Sequence, residues 1–175
     1  MLNCYYDVKY ADRFEELFGN QYIGKHPTAE QGKYLVLRFN FSMVRATDDK
    51  LEAAFNRHIS LETAYFASVY ASYFKPDFQE QLKLIPEAAG RMEYICLCAK
   101  EQGLSIYLLI DEYDNFTNTI LSSKGNDVYH SLTHDSGFYR SFFNVVKGVT
   151  TGAEAPVKRM FITGVSPVTL DDVTS

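Results

Sequence analysis

Three carboxylates fall within four positions of IYLLIDEYDNF (106–116): Asp111, Glu112 and Asp114. Carboxylate oxygens are what a hard divalent cation prefers, and a carboxylate with no cation on it can take a proton from water. A second set is His130 and His134, four apart, with Asp135 beside the latter. On a helix that spacing puts both imidazoles on one face, which suits a metal. No third ligand is evident and Gly137 signals the end of such a helix, so solvent-facing histidines are the competing reading. Arg140 lies off the apolar stripe of its segment. There it suits a surface salt bridge, or a phosphate or another subunit's nucleotide.

The element that delivers the three acids is the run Ile106–Ile110, which is apolar without alternation. A strand buried on both faces of a parallel sheet reads this way. In open α/β sheets ligands bind beyond the carboxyl ends of the strands, where Asp111 and Glu112 fall. Four or five apolar residues followed by Asp-Glu is the Walker B pattern. Its first acid is held near Mg²⁺, and its second orients and deprotonates the attacking water. A strand ending in solvated acids, or capping the next helix, fits the same residues, and Asp114 has the position of an N-cap. A Mg²⁺-dependent nuclease pairing Asp111 with Glu112 or Asp114 lacks a suitably spaced lysine.

Around that strand the chain alternates. Residues 1–18 predict a helix from Tyr6, Tyr10, Phe14 and Leu17/Phe18, with no start signal before it. A loop (19–33) leads to a strand, YLVLRFNFS (34–42). Thr47, Asp48 and Asp49 open a long helix whose apolar face runs from Leu51 through Phe55, Ile59, Phe66 and Val69 to Tyr73, ended by Lys75-Pro76. Asp77 and Glu80 resemble a capping box, and Pro86 kinks that helix or opens another reaching about Glu101. Strand 104–110 follows, then a mixed stretch (115–135). A helix comes next, with Phe138, Phe142 and Val145/Val146 as its stripe and Gly148 as its stop. The third strand is KRMFITGVS (158–166), where Lys158 and Arg159 read as solubility residues at a strand edge. Strands separated by long helical stretches predict an α/β fold. Its three layers are a mainly parallel sheet with helices on both faces.

A phosphate loop would complete such a site. The near match is GNQYIGK (19–25), followed by His26 where Ser or Thr belongs. A helical segment precedes it in place of a strand, Pro27 opposes a following helix, and Tyr22 and Ile23 crowd the loop. It reads as a decoy.

Composition bounds the rest. The 175 residues make one domain, 1–175. A net charge of −5 disfavours nucleic-acid and anionic-membrane binding. The many tyrosines and phenylalanines read as core, because a base-stacking groove also needs positive charge. Cys4, Cys96 and Cys98 form no CxxC pair and no even framework. With no signal peptide and no apolar run of about 20 residues, a cytoplasmic chain is expected.

The segments LFGNQYIGKHPT, YLVLRFNFS, LLIDEYDNF, GFYRSFFNVVKG and RMFITGVSPVTLDDVTS resemble, in order, the AAA-ATPase-like domain of bacterial proteins that often carry a C-terminal D-E-x-K nuclease-like domain. The resemblance implies a P-loop NTPase-like fold and ATP with Mg²⁺ as ligands. It makes Asp111 the Mg²⁺-associated acid, Glu112 the catalytic base and Thr163 a sensor-like residue near the γ-phosphate or attacking water. In that family a separate Walker A, of the form R-R-F-G-K-S, lies upstream of a segment like MLNCYYD. The chain is therefore expected to be a partial domain lacking the Walker A strand, with ATP binding and hydrolysis belonging to the full-length protein. The sensor strand normally sits beside the missing one, so residues 159–164 are expected to expose an edge that pairs copies of the chain. A non-hydrolysing interaction module with structural acids is the alternative.

Overall fold

The computed structural model describes residues 1–44, 50–124, 126–133 and 137–165. Its strands are β1 (Leu35–Asn40), β2 (Ile106–Asp111) and β3 (Val157–Ile162), all parallel in the order β1-β2-β3. Short helices α1 (Leu2–Tyr6), α2 (Phe14–Phe18) and α3 (Tyr22–Lys25) precede β1. The helices α4 (Leu51–Val69), α5 (Phe78–Lys83) and α6 (Ala88–Glu101) join β1 to β2, and α7 (Asn115–Lys124), α8 (Asn126–Thr133) and α9 (Phe138–Thr150) join β2 to β3.

Each crossover advances one strand in the same direction, so same-handed crossovers lay both sets of helices on one face. There the sheet side chains Leu35, Leu37, Phe39, Ile106, Leu108 and Ile110 join the buried faces of α4, α6 and α9 in the main core. The opposite face holds Tyr34, Val36, Tyr107 and Leu109, with Tyr6 from the N-terminal helices packed against them. The result is the expected three-layer α/β fold, with a thinner second helical layer.

Residues 1–18 do not form one helix. Asp7 is extended (φ −77°, ψ 127°), and its carboxylate accepts the Lys9 N–H at 2.9 Å, opening a 3₁₀ turn. Asp7 also bridges Tyr34 in parallel, beside the outer edge of β1. Burial pushes its carboxyl above the usual range. Sheet contact here outweighs an amphipathic pattern.

Other boundaries shift for similar reasons. The long helix ends at Val69, well before Pro76, because buried Tyr70 turns away and its hydroxyl accepts the Val36 N–H at 3.0 Å. The start predicted at Thr47 to Asp49 lies outside the described residues. Asp77 caps nothing with its side chain, and Glu80 instead pairs with Lys83 at 2.7 Å. Helix α6 starts two residues after Pro86, its Ala88 N–H donated to Asn56 Oδ1 at 2.8 Å. Helix α9 runs through Gly148 to Thr150. Cys96 is buried, which pushes its thiol to about 12.

Candidate functional site at the carboxyl end of the sheet

Asp111 is the last residue of β2, in register with Asn40 of β1, while Ile110 pairs with Ile162 of β3. The residue after that pair is Thr163, which engages the turn leaving β2 at four points. Its hydroxyl donates to Asp111 Oδ1 at 2.6 Å and accepts the Glu112 N–H at 3.2 Å. Its backbone N–H donates to the Ile110 carbonyl at 2.8 Å, and its carbonyl accepts the Tyr113 N–H at 3.0 Å. The other Asp111 oxygen faces the Arg38 guanidinium of β1 at 3.6 Å. A threonine just past the end of one neighbouring strand and an arginine on the other thus flank the carboxylate of the central strand.

Glu112 has a positive φ of 52°, the left-handed region that costs a non-glycine residue about 1–2 kcal/mol. The Thr163 bonds and the Asn115 N–H donated to the Glu112 carbonyl at 3.0 Å hold it there. The turn leaves the Glu112 side chain exposed while Tyr113 and Asp114 go inward. Held strain of this kind concentrates at functional sites.

Asp114 does more than cap α7. It is 2% exposed, and its carboxylate accepts the Val165 N–H at 2.9 Å and the Asn118 amide at 3.1 Å. It ties the segment after β3 to the start of α7. A Cβ on Gly164 would sit 2.2 Å from Tyr113 Cε1 and 2.8 Å from Asp114 Oδ1, so only glycine lets the two turns close. The Tyr139 hydroxyl of α9 donates to the Tyr113 carbonyl from the core below. Glu112, Asn115, Asn118 and Thr119 line an open cleft of about 370 Å³ beside these turns.

This donor set fits Mg²⁺ in a limited way. Among the described residues no group of three His, Cys, Asp or Glu converges on one point. Mg²⁺ keeps most of its waters and needs one or two carboxylates plus phosphate oxygens, which the half-exposed Asp111 can satisfy once Arg38 yields. The GNQYIGK segment adds no phosphate cradle. Its N–H groups at Gly19, Gly24 and Lys25 donate to the carbonyls of Glu15, Gln21 and Gln21. Gly24 is needed for packing, since a Cβ there would lie 1.8 Å from the Phe18 carbonyl oxygen.

Of the residues singled out in the sequence, Asp111, Glu112 and Thr163 come together. Arg140 lies half-buried on α9. The proposed metal pair falls partly on His134 and Asp135, outside the described residues. Sequence reasoning passed over Arg38, whose signal was a lone cation inside the apolar strand LVLRFN.

A parallel sheet flanked by helices, with paired acids closing its central strand, defines an α/β protein of the P-loop-like class. The chain belongs to the AAA-ATPase-like family, described as predicted AAA-ATPases, whose profile matches residues 1–174. No curated protein and no solved structure matches it significantly. Among the described residues no helix is long and apolar enough to cross a membrane.

Proposed function

We propose that this chain supplies the metal-binding and water-activating half of a Mg²⁺-dependent ATPase, with binding and hydrolysis of ATP performed by the full-length protein. The observation behind this reading is the 2.6 Å bond from Thr163 to Asp111, which fixes the first acid of the LLIDE segment at the ligand-binding edge of the sheet. Asp111 is the residue that would hold Mg²⁺, and the ion when bound supplies charge stabilisation at phosphate oxygens. Glu112, displayed by its left-handed turn, orients a water and accepts its proton. Thr163 keeps the two acids at a fixed separation, so that the carboxylate for the metal and the carboxylate for the water stay distinct.

Calorimetric titration of Mg-ATP into this chain and into a version extended upstream tests the reading. Binding to the longer protein is the expected result. Asp111→Asn should weaken Mg²⁺-dependent binding, while Glu112→Gln should leave binding intact and lower turnover by at least about 100-fold. Absence of binding in both proteins refutes the ATPase reading and favours the interaction module.

A further inference from the structure

Arg38 stands between two carboxylates. On one side is Asp111 of β2, 3.6 Å from its guanidinium. On the other is Glu62 of α4, which shares with Arg38 the walls of a cavity of about 230 Å³. That cavity lies between β1, α4 and the segment after α1, and all the residues named from it are outside the Asp111–Thr163 clasp.

The two acids are matched unequally. Asp111 accepts the Thr163 hydroxyl on one oxygen and faces Arg38 with the other. The half-buried Glu62 carboxylate has no hydrogen bond and no ion pair among the described residues. Burial pushes its carboxyl above the usual range, and the Arg38 charge, too distant for an ion pair, offsets this only in part. The other cation of the cavity, Lys9, is engaged elsewhere, 4.8 Å from the centre of the Tyr10 ring and beside buried Asp7. Arg38 is therefore the cation within reach of both acids.

We propose that Arg38 is a displaceable counter-ion on the metal position of Asp111, and that Glu62 is the acceptor that receives it. The inference rests on the reading of Asp111 as the Mg²⁺ residue and adds the regulation of that position. With Asp111 empty, the guanidinium neutralises it and Glu62 is left uncompensated. With a divalent cation on Asp111, like charges a few ångströms apart repel, and the guanidinium turns into the cavity toward Glu62. Each carboxylate then has a positive partner, which Arg38 alone cannot provide for both. A 3.6 Å contact between exposed groups is weak, which suits a counter-ion that has to leave. Entry of metal is thus coupled to a new ion pair between β1 and α4.

Titration of Mg²⁺ into the chain without nucleotide, followed by NMR, reads the gate apart from hydrolysis. Arg38→Gln should tighten binding by about 3–10-fold, because no cation has to be displaced. Glu62→Gln should weaken it by at least about 3-fold, since the arginine then has no second partner. In an Arg38→Gln background the Glu62 change should have less than about a 1.5-fold effect. A long-range charge effect would instead act equally in both backgrounds. A metal-free arm follows the titration of the Glu62 carboxyl. Asp111→Asn releases Arg38 and should move that titration to lower pH, by much less where Arg38 is already glutamine. Asp111-dependent binding that ignores Arg38, or a Glu62 effect equal in both backgrounds, overturns the gate and leaves the metal reading standing. So does a Glu62 titration that Asp111→Asn moves equally with and without Arg38. Absence of binding, or binding unchanged in Asp111→Asn, overturns the metal reading and the gate with it.

Discussion

Replacing Thr163 by valine removes one hydroxyl and keeps the β-branched shape that a strand favours. Two bonds disappear, the 2.6 Å donation to Asp111 and the 3.2 Å acceptance from Glu112. A hydrogen bond to a charged group contributes about 1.5–3 kcal/mol when well shielded. The Asp111 side chain is 43% exposed, so screening reduces that to about 1 kcal/mol. The bond to the Glu112 N–H adds about 0.5 kcal/mol, giving a loss of about 1–2 kcal/mol in all. For a chain of 175 residues this lowers the melting temperature by about 2–8 °C. Calorimetric melting of the parent, Thr163→Val and Thr163→Ser reads it, with serine recovering most of the loss. The same valine change in an Asp111→Asn background should cost less, because the charged acceptor is gone. An unchanged melting temperature in Thr163→Val, or a serine variant no better than valine, would refute the clasp.

Gly24→Ala should destabilise the chain by about 2–3 kcal/mol in urea unfolding, since its Cβ meets Phe18 backbone that cannot swing aside. Nucleotide affinity of the protein that remains folded should be unaffected, as expected of a packing glycine outside a phosphate loop. Burial holds the His58 imidazole below its usual 6.5, partly offset by a hydrogen bond to the Asn40 backbone. A depressed folded-state value means that stability is fully present above pH 6.5 and is lost as pH falls through the folded value. Urea unfolding against pH should therefore show an acid-side decline that is shallower in His58→Leu. Asp7 acts oppositely, because its raised value favours the fold toward low pH.

The sequence by itself determined where the acids gather and the element that presents them. The run Ile106–Ile110 had to be a buried strand because no alternation was present, and acids at its end had to lie at the sheet's carboxyl edge. Helix α9 was legible from Phe138, Phe142 and Val146, although its end was not, since a glycine can continue a helix that packing supports. Failure of GNQYIGK as a phosphate loop was legible from its neighbours alone. Tertiary structure decided the rest. The break at Asp7 depends on Tyr34, and the early end of α4 on Val36, both contacts that periodicity does not encode. Asp114 looked like a local cap, yet it holds Val165, 51 residues away. Arg38 joined the site because strand register set it opposite Leu109, on the same face as Asp111 and within diagonal reach of its carboxylate. Local pattern reports which face of an element is apolar. The partners of a polar group are set only when distant segments pack and leave it nowhere else to bond.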